Sequence, residues 1–350
     1  MDDEHEPESI GWSAIDDALR GVYGDVEPQH WGTIIPYRLG GPDPLTGLSA
    51  FVNEQYGLHW HFVTYGFSEL FEKEWDDPNV SGFGFELTFR LTKTSDEDQS
   101  AWVFNFLQNL ACYVFEMGRP FGVGHTMPLN GPIRCDYDTA IQAITFATDP
   151  QLSSINTANG KVDFLQIVGI TVDELEAIQA WNAQSFLELV ARQNPLLVTD
   201  INRKSYLVDE AFSEEVRARS SVDGASCGEL YSSEFSFSRS TFSRKSKVRL
   251  GALLVDGLTA RICGRIPFGR AMLLSDGKAT IAFVPGEKNQ WSLRDEVLEV
   301  TLTAEAAATF REVIAPRVGK YMVPGLDRFE IEVTKTEIRD KDGNVTDVVG

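Results

Sequence analysis

The segment Ser81–Leu91, with the sequence SGFGFELTFRL, constrains the fold of this chain more than any other part of it. Side chains of a β-strand point to opposite faces in turn, so a strand with one apolar face shows a period of two residues. The large apolar residues of this segment follow that period: Phe83, Phe85, Leu87, Phe89 and Leu91. Glu86, Thr88 and Arg90 lie between them. The segment is therefore predicted to be a core strand with one buried face and one polar face.

The remaining pattern mixes strands and helices. Leu58–Tyr65 and Phe164–Ile170 are predicted as strands, and Gln99–Met117 as a helix rich in large apolar residues. Thr171–Glu174 has the T-x-x-E pattern of a capping box, which predicts the start of another helix. The order lacks the strict alternation of a doubly wound parallel sheet. We therefore predict an α+β fold of two domains, each a mixed β-sheet with packed helices.

A shift in composition predicts the domain boundary. Between Arg217 and Arg249 the chain is rich in serine and carries seven basic residues against three acidic ones. A segment with few apolar residues and much charge is typical of a mobile connector. The prediction is an N-terminal domain over residues 9–222, a basic serine-rich connector over 223–246 and a C-terminal domain over 247–350.

Several segments carry a resemblance to a known family. Besides Ser81–Leu91, they are Gly40–Leu45 (GGPDPL), His59–Leu70 (HWHFVTYGFSEL), Val162–Ile170 (VDFLQIVGI) and the pair Trp181-Asn182. In this order and spacing the chain closely resembles the suppressor of fused family. The resemblance implies a two-domain, non-enzymatic protein that binds a segment of another protein in a cleft between its domains.

The resemblance also implies candidate binding residues. In animal members, a helix end and the loop after it contribute to a cleft that closes on an extended peptide of Gli-type transcription factors. Tyr113 and Phe121 match aromatic residues of that region, and His125 stands where the animal proteins have an aspartate that pairs with a basic side chain. An imidazole cannot supply that negative charge, so an animal Gli peptide is expected to bind weakly. The alternative is that both aromatic residues belong to the core.

A metal-dependent enzyme is the competing interpretation. His59 and His61 are two residues apart on a predicted strand, so they project from the same face and could bind a metal with a carboxylate such as Glu86. Ordinary packing explains the same residues, because the spacing fixes no third ligand. The sequence lacks P-loop and dinucleotide-binding motifs, and we predict no cofactor and no catalytic residue.

Charge and hydropathy predict the partner and the location. With 31 basic and 52 acidic residues the net charge is −21, which favours a basic protein partner over nucleic acid, although acidity can also serve solubility alone. An acidic N-terminus and no apolar run of about 20 residues predict a cytoplasmic protein that does not bind membranes.

The short connector suggests a bacterial member of the family, and bacterial members resemble immunity proteins that neutralise a toxin.

Overall fold

The computed structural model describes residues 9–35, 37–94, 100–239, 245–339 and 344–350. The chain divides into two compact units. The first contains Met1–Leu175 and Ala183–Val208, and the second contains Glu176–Asn182 and Asp209–Gly350. Residues 209–222, which the sequence interpretation gave to the N-terminal domain, therefore pack with the second unit.

The first unit has eight strands and four α-helices among its described residues. They are α1 (Ile10–Tyr23), β1 (Gln29–Gly32), β2 (Gly47–Asn53), β3 (His59–Tyr65), β4 (Val80–Thr92), α2 (Ser100–Met117), β5 (Thr126–Pro128), β6 (Ile141–Thr148), β7 (Ile155–Thr157), β8 (Gly160–Thr171), α3 (Val172–Ala180) and α4 (Ala183–Ala191). Residues of α3 from Glu176 onward belong to the second unit. The predicted first residue of α2, Gln99, lies outside the described residues.

The strands form one mixed sheet in the order β1-β2-β3-β4-β8-β6-β5, with β7 paired to β8. Strands β4 and β8 are parallel, whereas β3 and β6 are antiparallel to their neighbours. One face packs against apolar residues of α2, among them Val103 and Leu107, and the other against Ile15 and Leu19 of α1. Helices therefore cover both faces of the sheet.

Strand β4 corresponds to the segment that the sequence singled out, and both of its faces are buried. Phe85, Leu87, Phe89 and Leu91 join the core under α2, as the period of two predicts. The alternate residues Glu86, Thr88 and Arg90 have no exposed surface. The polar face is thus buried because β4 lies at the centre of the sheet, so its polar groups need partners inside the protein.

The second unit contains two mixed sheets and a two-stranded one, with their helices. The elements are α5 (Glu210–Asp223), β9 (Glu229–Tyr231), β10 (Phe235–Arg239), β11 (Ser246–Gly251), α6 (Ala252–Arg265), β12 (Met272–Ser275), β13 (Thr280–Pro285), β14 (Gln290–Arg294), β15 (Val297–Leu302), α7 (Ala304–Ala308), α8 (Phe310–Val313), β16 (Gly319–Tyr321), β17 (Phe329–Thr334), β18 (Thr336–Arg339) and β19 (Val345–Val349). One sheet has the order β10-β11-β17-β16, another β14-β15-β13-β12-β9, and β18 pairs with β19. The α+β class with mixed sheets and packed helices is confirmed.

Part of the range predicted as a connector is ordered structure. Strand β9 pairs with β12, and β10 pairs with β11, while residues 240–244 lie outside the described residues. The alternation of phenylalanine and serine in β10 covers only four residues, so the serine-rich, charged composition around it predicted a connector instead. Among the helices of the described residues, none is both long and apolar enough to cross a membrane.

Candidate functional site

The site that the sequence predicted around Tyr113 is a stack of three aromatic rings. The ring of Phe121 lies parallel to that of Tyr113, with centroids 5.9 Å apart, and stacks on Phe146 of β6 at 4.4 Å. Phe146 is 1% exposed, Phe121 9% and Tyr113 41%. The stack therefore runs from the core to the surface. Phe121 packs as a core residue, while Tyr113 presents its ring to the surroundings.

His125 lies in the loop between α2 and β5, beside this stack. Its side chain is exposed, and its Nδ1 atom accepts a hydrogen bond from the backbone N–H of Gly122 at 3.2 Å. Its carbonyl oxygen accepts bonds from the N–H of Phe146 at 3.2 Å and the hydroxyl of Thr145 at 2.9 Å. These contacts tie the loop to β6, so Phe121 and His125 are both held against β6.

Strand β5 follows directly and forms an edge of the sheet. Among the described residues, β5 pairs with β6 and with no further strand. The carbonyl of His125 accepts a hydrogen bond from β6. The N–H of Leu129 donates to the carbonyl of Gln142, also on β6, at 2.9 Å. Because residues of an antiparallel pair alternate between facing the partner strand and facing away, Thr126 and Pro128 direct their backbone groups outward. Proline has no N–H, so Thr126 supplies the outward N–H of this strand.

The structure does not bring His59, His61 and Glu86 together as a metal site. In the described part of the chain there is no group of three or more histidine, cysteine or acidic side chains that could hold a metal ion. Glu86 instead binds the end of β3 and the loop that follows it. Its carboxylate accepts bonds from the hydroxyls of Thr64 at 2.7 Å and Ser68 at 2.6 Å and from the N–H of Gly66 at 3.0 Å. Burial raises the pKa of Glu86, and these donors oppose that shift.

His61 belongs to a buried network that the sequence did not reveal, centred on Asp149 at the end of β6. The Asp149 carboxylate accepts bonds from His61 Nε2 at 3.0 Å, from Arg90 at 3.1 Å and from Thr88 at 2.8 Å. Backbone N–H groups of Gln151 and Leu152 also donate to it. Asp149 is therefore the partner of Thr88 and Arg90, two of the three residues on the polar face of β4.

Tyrosine and histidine side chains extend this network. The hydroxyl of Tyr23, on α1, lies 2.7 Å from Nδ1 of His61. The guanidinium of Arg90 lies 3.2 Å from Nε2 of His59, whose Nδ1 donates to the carbonyl of Gly57 at 2.7 Å. Each ring nitrogen of His59 and His61 thus has a protein partner. Packing and hydrogen bonding therefore explain the burial of both side chains.

Burial sets the charge states of this network. It lowers the pKa of His61 to about 4, although Asp149 acts in the opposite direction. Burial alone would raise the pKa of Asp149, but His61, Arg90 and the N–H of Gln151 hold it well below its usual range. At neutral pH the buried ion pair is therefore that of Asp149 with Arg90, and His61 is neutral.

Comparison with known proteins agrees with this fold. The family described as Suppressor of fused protein (SUFU) matches residues 41–204. A crystal structure of a Sufu–Fu complex contains a chain 31% identical to this one, and the match covers 98% of that chain and 61% of this one with a TM-score of 0.56. The chain belongs to the suppressor of fused family.

Two further relatives give the extent of the similarity. The human suppressor of fused homolog is 34% identical over 235 residues, which are 61% of this chain and 48% of the human protein. The chain thus matches about half the length of the curated relatives. The structure of Drosophila Suppressor of Fused is 21% identical, covers 93% of this chain and 97% of its own, and has a TM-score of 0.74, which shows a common fold. A bacterial origin stays a prediction.

Proposed function

We propose that this protein is a non-catalytic, protein-binding member of its family that adds a partner segment to the sheet edge at β5. The observation that carries the proposal is the exposed ring of Tyr113 stacked on Phe121, whose loop leads directly into β5 and the outward-facing backbone of Thr126. A strand added to a sheet edge gains its affinity from main-chain hydrogen bonds and its specificity from neighbouring side chains. The Sufu–Fu complex structure supports a protein partner, since it shows a family member in complex.

The net charge supports a basic partner. A protein with a charge of −21 attracts a basic segment by long-range electrostatics, and exposed charges are screened over about 8 Å at physiological ionic strength. Binding should therefore weaken as salt is raised. Regulation of a transcription factor and toxin immunity are two forms of this role, and both stay predictions. Toxin immunity is tested by measuring whether the protein blocks a toxin encoded beside its gene.

A proline substitution at the sheet edge tests the proposed site. Thr126→Pro removes the outward N–H of β5, whereas Thr126→Val keeps it and serves as the matched control. We expect extended peptides selected from a random library on the unaltered protein to be rich in lysine and arginine. Their affinity should fall about tenfold on Thr126→Pro protein, because an edge hydrogen bond is lost and the proline ring obstructs pairing.

The aromatic stack gives a second variant for the same peptides. Tyr113→Ala should also weaken binding, while Tyr56→Ala, at a tyrosine that is 67% exposed, should leave it unchanged. Phe121 is unsuitable for this test because it is buried and its removal would disturb the core. Selected peptides that bind Thr126→Pro and Thr126→Val proteins equally well would contradict the proposed edge. An animal Gli peptide, which we expect to bind weakly because of His125, is the specificity control.

A further inference from the structure

A cavity of the first unit lies between the β3–β4 loop, the start of β4 and the C-terminal end of α2. Its volume is about 620 Å³, within the usual range for ligand pockets. We call it the aromatic cleft, because its lining includes these rings: Tyr37, Phe67, Phe71, Trp75, Phe83 and Phe115. The β5 edge and the Tyr113 stack contribute nothing to this lining.

The rings of the aromatic cleft support one another but leave surface available. Phe83 meets both Trp75 and Phe115 nearly edge to face, with centroids 4.9 Å apart in each pair. Tyr37 meets Phe115 in the same way at 5.2 Å. Trp75 is 48% exposed and Tyr37 46% exposed, although both are large apolar residues. Two aromatic rings are thus fixed by their neighbours and still accessible to a ligand.

The rim of the aromatic cleft is acidic. Glu72 and Glu74 line it and are exposed, and Asp76 and Asp77 follow them in the chain. Glu69 also lines it but is occupied, since it pairs with Lys73 at 2.7 Å and accepts the N–H of Trp75. None of the described lining residues is lysine or arginine. Among its described lining residues, the cleft therefore combines aromatic faces with acidic side chains and no basic one.

We propose that the aromatic cleft binds an arginine-containing segment of a partner protein. The guanidinium would stack on the ring of Trp75, with Glu74 and Glu72 of the same loop supplying carboxylates, and the ring of Tyr37 would contact a neighbouring part of the segment. A guanidinium is planar, stacks on aromatic faces and pairs with carboxylates, which are the two kinds of group present here. A second copy of this chain fits less well, because it carries a charge of −21 itself. This site is separate from the β5 edge and goes beyond the proposed function.

The test uses a fluorescein-labelled glycine-serine peptide with two arginines as the probe, at low salt. We expect saturable binding by fluorescence anisotropy, and Trp75→Ala should weaken it about tenfold. Glu72→Gln/Glu74→Gln should weaken it similarly. The control Glu54→Gln/Asp138→Asn removes the same number of charges from exposed positions outside the cleft, and should leave the affinity unchanged. A peptide with lysine in place of arginine should bind less well. A peptide with glutamate in place of arginine should not bind.

Three results would overturn the proposal. The first is the absence of saturable binding, and the second is unchanged affinity in Trp75→Ala. The third is an equal loss of affinity in the control Glu54→Gln/Asp138→Asn, which would indicate general charge attraction. Circular dichroism confirms that each variant is folded, and Tyr37→Ala replaces Trp75→Ala if the latter unfolds. Thr126→Pro should leave this binding unchanged, so the aromatic cleft and the β5 edge can fail independently.

Discussion

Replacing Asp149 with alanine should lower the free energy of unfolding of the first unit by about 3–5 kcal/mol. The side chains of Asp149 and Arg90 are completely buried, so the substitution leaves a guanidinium without its counter-charge. It also removes the acceptor of His61 and Thr88. The cost of an unpaired buried charge dominates, because the interior cannot solvate it as water does.

Urea unfolding followed by tryptophan fluorescence measures this effect. Five of the seven tryptophans lie in the first unit: Trp12, Trp31, Trp60, Trp75 and Trp102. Asp149→Asn should lose most of the same free energy, because it preserves the shape but not the charge. Asp138→Ala, at an exposed aspartate, should change the free energy of unfolding by less than about 0.5 kcal/mol. A change of that small size in Asp149→Ala would show that the ion pair does not stabilise the unit.

Acidification should destabilise the first unit between about pH 6.5 and pH 4, through His61. Burial lowers the pKa of His61 to about 4 from 6.5 in an exposed histidine, so in this window the unfolded chain binds a proton that the folded chain does not. The stabilisation is complete above pH 6.5 and is lost as the pH falls towards 4. By linkage it amounts to about 3 kcal/mol. The lowered pKa values of His30 and His59 act in the same direction.

The difference between two proteins isolates the contribution of His61. The free energy of unfolding of the unaltered protein and of His61→Gln is measured in urea across this pH range. The slope should be smaller in His61→Gln than in the unaltered protein. Carboxylates that do not contact His61 titrate alike in both proteins, so their effect cancels in the comparison. Asp149 does contact His61, but it keeps Arg90 as its ion pair in His61→Gln. Parallel curves for the unaltered protein and His61→Gln would rule out His61 as the source.

Local patterns in the sequence correctly indicated several elements. The period of two in Ser81–Leu91 identified β4, since alternation of side chains is a property of the backbone itself. Thr171–Glu174 identified the start of α3, where the Glu174 carboxylate accepts the N–H of Thr171 at 2.9 Å. The same carboxylate also binds Arg203 through two contacts of 2.7 Å, a pairing that no local pattern shows.

The domain division and the site depended on contacts that composition does not report. Serine-rich residues 223–246 were interpreted as a connector, yet β9 and β10 within that range pair with strands of the second unit. The sequence did not decide whether Tyr113 and Phe121 belong to the core or to the surface. In the structure Phe121 is buried and Tyr113 is exposed. Burial is decided by what packs against a residue, so the residue type alone could not separate the two.

The sequence by itself determined the α+β class, the central strand and the family, because each depends on short-range periodicity or on residues in a fixed order. Only the tertiary structure decided the partners of the polar residues. His61 and Asp149 are 88 positions apart, and Arg90 and Asp149 are 59 apart. They meet because β3, β4, β8 and β6 are neighbours in the sheet, and the buried face of β4 requires a counter-charge there. Pairing across a sheet joins distant segments, so the chain order alone does not reveal which carboxylate meets Arg90.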